Sequence, residues 1–180
     1  INNLKIFQGI NQNIINVLLI LFGTLLLTIS AKVQVPFWPV PMTMQTFVVF
    51  LIGSTYGVRL SFITLIAYLI EGAIGLPVFA AGGGIVYLTG PTAGYLYGMT
   101  IAAAVISYFA NMGYSTSYIK SFISVMIGSI VIFVCGVLYL GSIIGYTKAI
   151  QAGLLPFIPS EIFKIALAVL LIPTLHKIIK

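Results

Sequence analysis

Apolar residues run through this chain in long blocks, and glycine and proline interrupt the blocks where an alternation of polar and apolar positions would mark strands. That pattern favours helices over a β-barrel. A hydrocarbon core about 30 Å thick takes roughly 20 helical residues to cross. On that measure six runs emerge, at 14–31, 43–56, 58–70, 94–110, 118–139 and 159–179. The second and third are short and separated by "GSTYGVR"; they read as two helices on a tight turn, or with one of them as a partial, re-entrant helix. The runs consume nearly the whole length. The expectation is an all-α integral membrane protein with six transmembrane helices, one transmembrane domain over 1–180, and structured outward-facing loops.

Composition turns that pattern into a class. The 180 residues are 61% hydrophobic and 6% charged, with a mean hydropathy of +1.20. A soluble domain carries about 25% charged residues, so the lipid bilayer is the expected solvent.

The formal charge of +6 could suggest nucleic acid, but the cations are scattered singly and form no basic patch interleaved with aromatics. No nucleic-acid partner is expected; the cations set topology instead. With six spans, one side receives Lys5, Arg59, Lys120, Lys177 and Lys180, and the other receives Lys32 and Lys148. Positive-inside counting places both termini in the cytoplasm of a multi-pass protein in the cell membrane. The outward loops are then the segment around Trp38, the stretch from Glu71 to Thr92, and the linker before "PFIPSEIFK". Sequence oddity concentrates on that outer face, which suggests a binding site open to the outside.

Little here resembles catalysis. Cys135 stands alone, which excludes an internal disulfide and a thiol metal cluster, and no metal site is expected. His176 stands alone beside Lys177 near the end and reads as interfacial. The run before the first span lacks a small-residue cleavage site, which argues against a removed signal peptide. The phosphate-binding pattern G-x-x-x-x-G-K-[ST] does not occur, so ATP hydrolysis by this chain is not expected.

Four features could carry a ligand. Glu161 and Lys164, in "PSEIFKIALAVLLI", are three residues apart and share a helix face. An ionisable residue in a span costs about 2.5–3.5 kcal/mol on insertion scales and generally faces a cavity or a partner. The pair reads as ligand-facing, or as a capping acid with a snorkelling lysine. Glu71 ends the third run, where an interfacial carboxylate needs no special role. "AAGGGIVYLTGPTAGY" (80–95) suggests a loop folded over a pocket, or a bare turn; glycine lets backbone approach a ligand closely. Thr43 and Gln45 follow the proline-rich "VPFWPVPMTMQT", where Gln45 either meets a ligand amide or faces water. A small-residue stripe at Gly94, Gly98 and Ala102, and the spacing of Gly23, Leu27 and Ala31 on the first helix, mark packing surfaces.

"PVPMTMQT", "IGLPVFAAGGG" and "GPTAGYLYG", in that order and at these distances, resemble the BioY family, the biotin-specific S components of energy-coupling-factor (ECF) transporters. The likeness is strongest over 31–98, and "LPFIPSEIFKIALA" extends it to the last helix. Two positions depart from the family pattern: Ala93 replaces a glycine in "GPTGGY", and Glu161 stands where the family carries aspartate.

The resemblance implies the S-component fold of six helices and an outward-facing vitamin site built from the first, third and fifth loops with the last helix. It also implies very tight binding of biotin as transported ligand, with no cofactor and no enzyme activity. An ATPase and a transmembrane coupling protein would drive delivery inward, the coupling surface lying near Gly23, Leu27 and Ala31. Biotin offers ureido N–H donors, a ureido carbonyl, an apolar thioether ring and a valerate carboxylate. Glu161, Gln45 or Thr43 could accept from the ureido group. Lys164 could donate to its oxygen or neutralise the carboxylate. Backbone around Gly83 and Gly84, with Tyr87 and Tyr95, adds donors, and Phe37, Trp38 and Phe79 could form the apolar wall. The competing readings are an S component for another vitamin, a membrane-embedded enzyme, which lacks an evident catalytic array, and a channel or scaffold.

Overall fold

The computed structural model describes residues 11–179, and within them the chain is a helical bundle with a small two-stranded ribbon at one end. Helix α1 (Gln12–Lys32) leads through β1 (Gln34–Val35) and β2 (Met42–Thr43) into α2 (Gln45–Thr55) and α3 (Val58–Ala73). Next come α4 (Ala93–Asn111), α5 (Tyr118–Ile144), the short α6 (Tyr146–Gly153) and α7 (Ile158–Ile179). Single 3₁₀ turns lie at Ile85–Leu88, Tyr114–Thr116 and Leu155–Phe157. The linker before the last helix therefore contains a helix of its own, set off from α5 by Gly145 at a φ of 90°.

Four segments are long and apolar enough to cross a membrane: α1, α4, α5 and the 34-residue stretch Tyr146–Ile179. Helix α2 is apolar but has only 11 residues, a rise of roughly 16 Å. It starts at the level of the ribbon and turns into α3 through Gly57, whose φ of 82° suits glycine alone. Large apolar side chains on α1, among them Val17, Leu21, Leu25 and Ile29, are each more than half exposed. Such a surface belongs in lipid, where it costs nothing to leave uncovered.

Helix α4 runs along α5, with α2 and α3 on its other side, while α7 packs on α5 and α2, and α1 on α2 and α3. The stripe of Gly94, Gly98 and Ala102 faces α5: a Cβ on Gly98 would lie 3.0 Å from the Ile132 backbone. These residues serve internal packing. Gly23, Leu27 and Ala31, expected near a coupling surface, also face inward. Leu27 and Ala31 are fully buried, and a Cβ on Gly23 would come within 2.6 Å of the Thr64 methyl on α3. The small residues let α1 approach its own neighbours.

Arg59, Lys120 and Lys177 are exposed at the end of the bundle opposite the ribbon. Lys5 and Lys180, which the charge count also used, lie outside the described residues.

Candidate ligand-binding site

The first two turns of α7 deliver Glu161 and Lys164 into the bundle. Both are almost fully buried, at 4% and 2% exposure, and Lys164 Nζ lies 2.6 Å from Glu161 Oε2. A buried ion pair holds only when further hydrogen bonds satisfy its remaining protons and lone pairs, and three elements supply them here. The Thr46 hydroxyl of α2 donates to Glu161 Oε2 at 3.0 Å. The Ser129 hydroxyl of α5 donates to Oε1 at 3.1 Å. Lys164 donates to the Thr43 carbonyl of β2 at 3.2 Å. Among the described residues, no buried side-chain nitrogen or oxygen lacks a partner.

A second network backs the first. The Thr43 hydroxyl donates to Gln45 Oε1 at 2.9 Å, and Gln45 Nε2 donates to the Tyr68 hydroxyl at 2.8 Å. Tyr68 then donates to the Val78 carbonyl at 2.8 Å. This chain fixes the loop after α3. Tyr68 meets the Phe79 ring edge-on at 5.4 Å, and Phe79 in turn lies 5.2 Å from Tyr87. Lys32 Nζ donates to the Phe79 carbonyl at 2.6 Å and Gln34 Nε2 to the Ala80 carbonyl at 3.1 Å. The end of α1 thus clamps the same loop, a role for Lys32 beyond topology.

These parts enclose one cavity. Its floor is Glu161, Lys164, Thr43, Gln45 and Thr46, and its walls include Val40, Pro41, Phe79, Tyr87, Tyr95, Met99, Ile132, Phe133 and Phe157. Tyr95 is held by donation from its hydroxyl to the Gly153 carbonyl at 2.8 Å and stacks on Phe157 at 6.4 Å. A mostly apolar cavity with a few converging polar groups is the usual makeup of a small-molecule site. A neutral pair of opposite charges on its floor can donate and accept hydrogen bonds at once.

Seven of the residues expected from sequence meet there: Glu161, Lys164, Gln45, Thr43, Phe79, Tyr87 and Tyr95. Four do not. Trp38 is 84% exposed and stands outside the cavity, because the proline-rich turn points its indole outward. Phe37 is 39% exposed and does not line the cavity, though its ring meets that of Phe157 edge-on at 6.2 Å. The N–H of Gly84 is spent on the Gly72 carbonyl at 2.7 Å. Gly83 is pressed onto the Leu76 backbone, so this glycine run packs the loop against α3 and its amides do not reach the cavity.

Sequence reasoning missed Thr46, Ser129, Phe133 and Phe157. Ser129 left a usable signal, a hydroxyl amid an apolar span with its partner on another helix. Thr46 sits beside Gln45 in a motif already singled out, and the aromatics looked like ordinary span residues.

The BioY family model matches residues 5–180. A probable biotin transporter BioY of Rickettsia prowazekii is 32% identical over 92% of this chain and 85% of its own length. One from Pyrococcus horikoshii is 38% identical over 81% of this chain and 86% of its own, and the biotin transporter BioY of Thermotoga maritima is 35% identical over 86% and 92%. Among solved structures, the crystal structure of the S-component for biotin from an ECF-type ABC transporter superposes with a TM-score of 0.82 over 94% of both chains, at 26% identity.

Proposed function

The chain belongs to the BioY family, and on that premise we propose that it is a biotin-binding membrane S component of an ECF-type vitamin importer. It captures biotin at the ribbon end of the bundle and passes it inward with a transmembrane coupling protein and ATPase subunits. The observation that carries this reading is the buried Glu161–Lys164 pair on the floor of an aromatic-walled cavity. The test is equilibrium binding of radiolabelled biotin to the purified chain.

The electrostatics of the floor support one orientation of the vitamin. Lys164 is already neutralised by Glu161 at 2.6 Å, so the floor carries no net charge to offset a buried valerate. A ureido group asks for what the pair offers: an acceptor for its N–H groups and a charged donor for its carbonyl oxygen. Hydrogen bonds to charged groups contribute about 1.5–3 kcal/mol each, more than the floor could gain from an unpaired carboxylate. Glu161 and Lys164 therefore take the ureido head. Phe79, Tyr95 and Phe157 flank the thioether ring, and the valerate points toward the outer face.

Capture from outside follows from the charges. Arg59, Lys120 and Lys177 mark the end away from the cavity, and positive-inside counting puts that end in the cytoplasm. Both termini then lie on the cytoplasmic side of the cell membrane, and the ribbon and loop 79–92 face out.

A further inference from the structure

Above the cavity lies a second, more open space of about 430 Å³, between the segment 34–41 and the loop 81–92. Pro41, Tyr87 and Thr92 line both spaces, so they are a single layer of side chains between the inner cavity and an outer vestibule. The inner cavity holds only about 50 Å³ of free space. With the ureido head on Glu161 and Lys164 and the ring against the aromatics, the valerate chain has to cross this layer and end in the vestibule.

The vestibule offers that chain no fixed counter-charge. Of the described residues lining the two spaces, Lys164 is the only cation, and Glu161 neutralises it. Lys32 stands nearby, but its ammonium is bonded to the Phe79 carbonyl at 2.6 Å and lines neither space. Proline and glycine form much of the vestibule wall, and Val86 is 76% exposed. A carboxylate there stays in contact with water, where screening leaves little to gain from distant charge. The acid itself is thus not read; only its position is.

We propose that the site accepts biotin amides, in which the valerate carboxyl is condensed with an amine such as a lysine side chain, with the appended group lodged in the vestibule. The substrate class widens from the free acid to its small conjugates. This rests on the biotin reading above and is tested separately from it.

The experiment is competition against radiolabelled biotin on the full chain in lipid nanodiscs, using biotin, biotinamide and Nε-biotinyl-lysine. Both amides should compete within tenfold of biotin; a loss beyond tenfold, with biotin still bound, overturns the proposal. In a V86W variant, the bulky indole should weaken Nε-biotinyl-lysine at least tenfold more than it weakens biotin. Equal affinities for the conjugate in variant and wild type, or equal losses for both ligands, overturn the placement in the vestibule. Failure of all three compounds to bind the wild-type chain would instead overturn the vitamin assignment, and the proposal with it.

Discussion

The Lys164 ammonium and the Glu161 carboxylate face each other at 2.6 Å on one face of α7, with almost no access to solvent. Burying two charges carries a desolvation penalty of several kcal/mol per ion, and removing one partner from such a pair costs about 3–5 kcal/mol. Replacing both with uncharged groups is often neutral. On these magnitudes the pair is a poor stabilising device, which favours the proposed ligand-binding role. K164M alone and E161Q alone should each lower the midpoint of thermal unfolding in detergent, whereas the double variant should recover much of that loss without regaining biotin affinity. Recovery of binding in the double variant would assign the pair to folding alone.

The two hydroxyls on Glu161 hold its carboxylate across three helices. T46V and S129A each delete one donor to a buried anion, an effect of about 1.5–3 kcal/mol for a hydrogen bond to a charge. Biotin affinity by isothermal titration should fall by about tenfold or more in each, since 1.4 kcal/mol is a factor of ten. Unchanged affinity in a folded S129A variant would mean that the carboxylate needs no anchor on α5.

Much of this was legible in the sequence because the chemistry is scarce. A chain with two acidic residues leaves few ways to build a polar floor, and a carboxylate and an amine three residues apart inside an apolar helix are hard to place elsewhere. The helices followed from long apolar blocks. Directions did not. Trp38 and Phe37 are neighbours in a proline-rich turn, and only the turn's path shows that one ring points to solvent while the other reaches Phe157. The glycines at 83 and 84 suggested open backbone, yet one amide is taken by Gly72. Gly23, Leu27 and Ala31 have the spacing of a docking stripe, and spacing is blind to whether the neighbour is another chain or α3.

Trp38 lies outside the cavity and on the face read as external. W38A should leave biotin affinity within about threefold, which is about 0.6 kcal/mol or less, measured by equilibrium binding. Trp38→Cys, placed on a C135S background, should react in intact cells with a membrane-impermeant maleimide. Protection of that thiol in intact cells, with reaction only after lysis, would reverse the proposed orientation.

Gly72 lies directly under the Phe79 ring, and a Cβ there would overlap it. The ring is itself 1% exposed and part of the cavity wall. G72A should push Phe79 into the cavity, with overpacking of this kind costing about 1–3 kcal/mol, and should weaken biotin binding along with thermal stability. Unaltered affinity and stability would mean that Phe79 can relax elsewhere and does not define the wall.

The central claim is that this chain binds biotin through the Glu161–Lys164 floor, and radiolabelled biotin binding to wild-type and K164A protein, purified side by side, tests it most directly. The wild-type chain should bind saturably at submicromolar biotin without competition from thiamine or riboflavin, and K164A should bind at least tenfold more weakly, about 1.4 kcal/mol. Absence of saturable binding by the wild-type chain at micromolar biotin, or equal affinity in a folded K164A variant, would contradict the account.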